Sequence, residues 1–467
     1  VPYVTGAHNL KVGVQDRWGW SKDIRSNVNG DIIQQYRNGQ PFAAVLLNTP
    51  LDNRVDVNAD FGFFVQDSWT LSRLTLSPGL RYDYFNSSVP AQSVEAGRFV
   101  PARTFEEIRD VPNWSNISPR MGAAWGVSGD GRTAIRGNVG LYVQSEGPGF
   151  ASNYNPQVFA SDSRTWNDLN RDDIAQENEL GPTNNLAFGV RRNQNADPDI
   201  KRPYQWVANI GIQRELLPGM AVGVSFNRRT FHELIWTDNL AISHDDYMLL
   251  SVPDPRNNGQ TLPVYNLNRA KQGLVDELDT NSSDNRRAYN GFDVSFNMRT
   301  GGGNISGGTS TGRTSSVTCQ VENPNSLRFC DDADYDVPLR TQFKLSATYP
   351  LWYGLRLSGT FQSQPGSDRG INYQVTRALI PALTQTSVNV RLNEPGSEFN
   401  DRVNQLDFSL AKSFRRAGIE VRPELALFKL LNRSPVLSQV NTFGPALGNV
   451  NTVLQPRLAR LGLTMRF

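Results

Sequence analysis

Leu74-Thr75-Leu76-Ser77-Pro78-Gly79-Leu80-Arg81-Tyr82-Asp83-Tyr84-Phe85 decides the fold class. In an extended chain Leu74, Leu76, Pro78, Leu80, Tyr82 and Tyr84 share one face, and Thr75, Ser77, Gly79, Arg81 and Asp83 share the other. Successive side chains of a strand point to opposite sides, so this is a strand with one apolar face. The C-terminus repeats it: Ala459, Leu461, Leu463, Met465 and Phe467 alternate with Arg460, Gly462, Thr464 and Arg466. Carried along the chain, the pattern predicts about fourteen strands, at 6–18, 59–70, 72–85, 118–128, 131–145, 204–214, 219–231, 288–299, 302–313, 339–350, 353–364, 403–414, 418–431 and 457–467. Most run about 11 to 14 residues, against a mode near 5–6 in soluble domains. A tilted strand needs only about 9–11 residues to cross a bilayer.

The connections alternate strictly between long and short. Long ones cover 19–58, 86–117, 146–203, 232–287, 314–338, 365–402 and 432–456; the short ones are turns of a few residues, such as Gly129-Asp130 and Thr300-Gly301. Transmembrane β-barrels have this asymmetry, with short periplasmic turns and long extracellular loops. The expected topology therefore starts and ends in the periplasm, with the long loops outside. Aromatic residues gather near strand ends, Trp69, Tyr349, Trp352, Tyr353 and Phe467 at the predicted inner rim and Trp18, Trp20, Tyr84, Phe85 and Tyr142 at the outer one, as girdles do. The opposite faces carry Lys11, Gln15, Gln66, Arg81, Asp83, Arg136, Gln144, Asn209, Gln213, Asp293, Asn297 and Asp407. Such a face suits a wide, wet or plugged lumen and not a sandwich core.

Composition removes other classes. The longest apolar run, Phe42 to Leu47, is far short of the roughly 20 residues of a membrane helix. The 47 basic and 45 acidic residues leave a net charge of +2 with no basic stripe, which argues against a nucleic-acid binder. Three scattered histidines exclude a histidine-rich metal centre. No signal peptide opens the chain, so the start is expected to be processed or missing.

Several runs are similar to one family. Phe63-Phe64-Val65-Gln66-Asp67-Ser68-Trp69 and Leu74 to Asp83 resemble the barrel of TonB-dependent outer-membrane receptors. Arg202-Pro203-Tyr204-Gln205-Trp206, Gln213-Arg214-Glu215-Leu216-Leu217-Pro218-Gly219, Ser310-Thr311-Gly312-Arg313-Thr314 and Phe361-Gln362-Ser363-Gln364-Pro365-Gly366 resemble its Oar-like branch. Asn404-Gln405-Leu406-Asp407 and Leu431-Asn432-Arg433-Ser434-Pro435-Val436-Leu437 do so too. Many acidobacterial members of that branch carry a carboxypeptidase-regulatory-like domain before the plug. The resemblance implies a receptor whose outer loops bind a scarce nutrient, small molecule, glycan or peptide. Its plug opens under force from the inner-membrane TonB complex. It also implies outer-membrane lipid and lipopolysaccharide around the barrel. Terminal Phe467, with Leu461, Leu463 and Met465, looks like the signal read by the barrel-assembly machinery. Such barrels have 22 strands, so residues 1–467 are expected to be the C-terminal portion, with plug and first strands upstream. A closed fourteen-stranded barrel is the structural alternative. The functional alternatives are a structural or adhesive surface protein and a passive channel.

Cys319 and Cys330 flank ten residues in a predicted outer loop and, in an exported protein, read as a disulfide. Asp168, Asn170 and Asp172 place oxygen donors at alternate positions, as the opening of a calcium loop does. The stretch is read as lacking both the glycine and the closing bidentate glutamate of an EF-hand's spacing. No catalytic motif is found, neither G-x-S-x-G, H-E-x-x-H, P-loop nor C-x-x-C. The reading is therefore a binding and transport protein and not an enzyme. Its loops at 146–203 and 232–287 are long enough to carry that function.

Overall fold

The computed structural model describes residues 6–26, 29–185, 188–189 and 193–467. One antiparallel sheet of 15 strands runs through it. In chain order these are β1 (Ala7–Arg25), β2 (Leu51–Leu71), β3 (Leu74–Ser88), β4 (Asn113–Gly126) and β5 (Thr133–Val143). Next come β6 (Tyr204–Leu217), β7 (Met220–His232), β8 (Arg286–Thr300), β9 (Gly303–Val317) and β10 (Arg340–Pro350). The last are β11 (Leu355–Gln364), β12 (Val403–Lys412), β13 (Phe414–Arg416), β14 (Ile419–Phe428) and β15 (Leu458–Arg466). Each strand pairs with its neighbours in sequence, and β12 and β13 are one crossing interrupted at Ser413.

The period-two pattern becomes two unlike sheet faces through the register. Val12 faces Val65, which faces Leu80, which faces Pro119. Farther round, Ile210, Phe226 and Phe292 form one cross-strand row. Leu425 pairs with Leu461 in another. This face stays open to the surroundings, with Leu461 84%, Ile210 60% and Phe292 54% exposed. A continuous apolar belt of that size marks a surface that meets lipid or a partner. At the short-turn end, Gly301-Gly302 joins β8 to β9 with φ of 55° and 77°. A two-residue hairpin of that hand follows the twist of its strands and needs positive φ at both places.

Two expectations change. β1 and β2 extend to Arg25 and back to Leu51, well beyond 6–18 and 59–70. The extension, Lys22-Asp23-Ile24-Arg25 against Asp52-Asn53-Arg54, is polar but for Ile24, so alternation fades although the ladder continues. The long connections also hold small sheets of their own. Ile32–Arg37, Gln40–Leu47 and Ser161–Thr165 form one; Ile235–Asn239, Gln194–Ala196 and Glu277–Asn281 form another. The closed fourteen-stranded alternative is not what is observed. Among the described residues β1 pairs only with β2 and β15 only with β14, which leaves both sheet edges free.

Most of the buried core lies in the long connections and not between the wall strands. One cluster joins Val55, Phe85 and Trp114 at the strand ends to Phe150, Tyr154 and Ile200 above them. A second unites Val252, Leu262 and Val264 with Val375, Leu383 and Val390, drawn from loops more than a hundred residues apart in the chain.

Candidate functional site

The concave face of the sheet is the site. Cross-strand rows place Lys11, Gln66, Gly79 and Arg120 side by side, and Gln213, Gly223, Ser295, Gly308 and Lys344 in another row. Asn209 donates from Nδ2 to Asn227 Oδ1 at 2.6 Å, and Asn227 donates to Asp293 at 2.5 Å. Hydrogen-bonded amides and carboxylates of this kind keep the face hydrated at no unpaired cost. The predicted lumen residues Lys11, Gln15, Gln66, Arg81, Asp83, Arg136, Asn209, Gln213, Asp293, Asn297 and Asp407 share this face by register. Gln144 lies just past β5 and meets the base of a long loop.

A groove of about 620 Å³ runs down the wall between Ser306, Gly308, Lys344, Thr360, Gln362 and Asp407. It shares Ser310 and Gln342 with a second recess of about 460 Å³ at the long-loop end. There Tyr289 and Arg340 of the wall face Asp368 and Phe399 of the 365–402 loop. Arg340 lies 3.9 Å over the Phe399 ring. Three strands and two loops supply this recess. No short stretch of sequence could have announced it.

The long loops are cross-tied to one another. Asp279, buried, accepts from Tyr154 at 2.8 Å, Gln194 at 3.0 Å and Thr237 at 2.6 Å. Thr384 donates to Asn266, and Asn325 donates to Tyr265 O. Arg202, buried, stacks 5.7 Å from Phe85 and 5.8 Å from Trp114, and donates to Gln144 O at 2.8 Å. Burial pulls its pKa down, while Asp83, Asp60 and Glu146 act the other way. Glu146 answers in kind: burial pushes its carboxyl up. The Arg-Pro-Tyr stretch thus anchors the loop core before β6 begins.

The other predicted residues fall as follows. Cys319 and Cys330 are bonded to each other, with Cα atoms 4.9 Å apart. Leu461, Leu463 and Met465 lie on the apolar face of β15, and Phe467 follows it, 93% exposed. Asp168, Asn170 and Asp172 come together through their own loop: Asp168 accepts from the Asp173 amide at 3.1 Å, and Asn170 donates to Asp172 at 2.9 Å. Among the described residues no three His, Cys, Asp or Glu side chains are grouped as a ready metal site. One residue of that loop was missed. Glu179 stands twelfth counting from Asp168, is buried, and accepts from Leu169 N at 2.9 Å and Trp166 Nε1 at 3.2 Å. Asp173, in the sixth place, has the positive φ of 57° that glycine usually provides there. Counting the full twelve-residue spacing would have found both.

A continuous sheet with an apolar outside, a polar inside and structured loops at one end defines a membrane barrel wall. The chain belongs to the outer membrane beta barrel domain family, whose model matches residues 1–359. Its fold is similar to the outer membrane transporter YddB from Escherichia coli, at 14% identity and a TM-score of 0.53, over 98% of this chain and 52% of that one. The FrpB iron transporter from Neisseria meningitidis is similar at 14% identity and a TM-score of 0.50, over 98% of this chain and 53% of that one. The chain thus spans about half the length of each solved structure. No curated protein matches it in sequence.

Proposed function

We propose that this chain is the wall and outer loop body of a TonB-dependent receptor that takes up a scarce nutrient. The observation that carries the reading is the pairing of one polar, grooved concave face with a cross-tied loop body at a single end. The likeness to outer-membrane transporters supports it at the level of fold. In this reading the long loops face the cell exterior and the C-terminus faces the periplasm. Further strands of a larger barrel complete the free edges of β1 and β15, a plug sits in the lumen, and TonB acts on it. Lipopolysaccharide and lipid cover the apolar belt, and the barrel-assembly machinery reads the end of β15. The residues bind and conduct; no bond chemistry is assigned to them.

The test is the intact mass of the native protein, measured together with its capture by the periplasmic domain of TonB. A native chain well above the 52.0 kDa of this sequence that binds the domain is expected. A native chain of 52.0 kDa that ignores TonB would overturn the coupling and favour an adhesive or anchoring role.

We also propose that the 168–179 loop takes calcium, with Asp168, Asn170, Asp172 and Glu179 as oxygen donors. The twelve-residue spacing and the conformation of Asp173 support it. Calcium titrated into chelator-treated protein should slow proteolytic cleavage within 160–185, and Asp172→Ala should abolish that protection. Equal cleavage with and without calcium would remove the proposal.

A further inference from the structure

The outward face of the wall carries charge of one sign between β6 and β12, away from the lumen and from both free edges. Among the described residues, the outward positions of these seven strands include no Asp or Glu. Two exposed arginines stand where the apolar belt ends toward the long loops. Arg228 of β7 pairs in register with Asn290 of β8 and donates to its Oδ1 at 2.9 Å. One row nearer the short turns, Phe226 and Phe292 pair with ring centroids 5.1 Å apart. Arg402, just before β12, repeats the arrangement. It donates to Ser363 Oγ at 3.0 Å and to Thr341 O at 2.8 Å. Nearer the short turns on that face, Phe343 and Phe361 lie 5.9 Å apart. Each guanidinium is thus held by neutral oxygens above an aromatic pair. Arg313, between them on β9, differs, lying 3.8 Å from Asp332 of its own loop. Asp401, next to Arg402 in the chain, keeps its charge and accepts from the Val436 amide at 2.9 Å.

We infer that Arg228 and Arg402 are two seats for a phosphorylated glycolipid of the outer leaflet, its phosphate on the guanidinium and its acyl chains on the aromatic pair. The inference rests on the membrane reading proposed above and deepens it, since it turns a general lipid coat into two defined contacts. An arginine on the lipid face is costly at the bilayer midplane and nearly free at the interface. Two of them immediately beyond aromatic pairs therefore mark the headgroup level. A guanidinium stays charged and presents a planar fork of donors that matches phosphate. Asn290 beside Arg228, with Thr311 and Thr341 joined through their hydroxyls at 2.9 Å, offers partners for sugar hydroxyls along the same border. Strands β7 and β12 are five ladder steps apart, roughly 24 Å along the sheet at about 4.8 Å a step, so each arginine takes its own lipid. A plug meets the concave face and added strands meet the edges, so neither covers these seats from outside.

The test uses the full native chain, delipidated in detergent, with bisphosphoryl lipid A added back and the bound lipids counted by native mass spectrometry. Arg228→Gln and Arg402→Gln should each hold one lipid A fewer than the native chain, and the double variant two fewer. The pair Arg228→Lys, Arg402→Lys keeps the charge and should keep both lipids, which separates binding from folding. The control pair Arg214→Gln, Lys412→Gln, on the same face at the short-turn end, should hold the native number. Each variant is checked for the folded band on an unheated gel. An unchanged count in the folded double variant would overturn the inference. So would equal retention of lipid A stripped of its phosphates. Equal competition by phosphatidylglycerol would also overturn it, because any anionic phospholipid would then fill the seats. A chain that fails these tests and still captures the TonB domain loses the lipid seats and keeps the uptake reading.

Discussion

At the scale of single residues, the polar groups that decide the structure sit in the loops. Asp162 is fully buried and accepts from Arg164 at 2.7 Å, Thr183 at 2.7 Å and the Asn184 amide at 3.0 Å. Burial pushes its carboxyl up, but these donors outweigh it and hold the pKa below the ordinary carboxylate range. A depressed folded pKa stabilises the loop above the unfolded value of about 3.9 and loses that support as pH falls through the folded value. Asp162→Ala should therefore cost about 1–3 kcal/mol locally. Proteolysis of the 160–185 segment should quicken accordingly at neutral pH, and the difference from the native chain should shrink in strong acid. Glu179 belongs to the same scale. Its role was open to counting, whereas that of Arg202 was not, because only the fold brings Phe85 and Trp114 beside it.

At the scale of elements, β9 is unusual in being built from Gly, Ser and Thr, with a glycine pair at its centre. A Cβ on Gly308 would lie 2.3 Å from Val294 O, and one on Gly307 would lie 2.6 Å from Lys344 O. Backbone oxygens cannot step aside, so Gly308→Val should strain β8 against β9 by about 1–3 kcal/mol. The readout is the temperature at which the folded band disappears on a gel, which should drop for Gly308→Val and hold for Gly126→Ala, where the new Cβ meets nothing nearer than 3.7 Å. Strand positions were legible because period two survives wherever one face is apolar. The loop strands were not legible. Gln40–Leu47, for example, is partnered by Ser161–Thr165, and no local pattern names so distant a partner.

At the scale of the whole molecule, the wall and the loop body are stabilised by different means. The wall rests on its ladder of backbone hydrogen bonds, and the loop body on buried side chains. Phe150 packs 4.9 Å from Trp114 and 5.3 Å from Tyr154. Phe150→Ala should cost about 3–5 kcal/mol, expressed as faster amide exchange over 144–160 with exchange in β6 to β12 unchanged. Equal acceleration in the wall would show that the two parts unfold together.

The sequence by itself determined the strand count, the alternation of short turns and long loops, and which residues face the lumen. These follow from one chain's own periodicity, since a strand's two faces are written into neighbouring residues. Only the tertiary structure decided how the loops tie together, where the recess of Arg340 and Phe399 lies, and that the sheet's two edges stay unpaired. It also decided the electrostatics of the lumen. Arg17 meets Asp60 and Arg460 meets Glu424 across neighbouring strands, pairs that lie far apart in the chain. Register between the strands settles those pairs, and no single segment contains them.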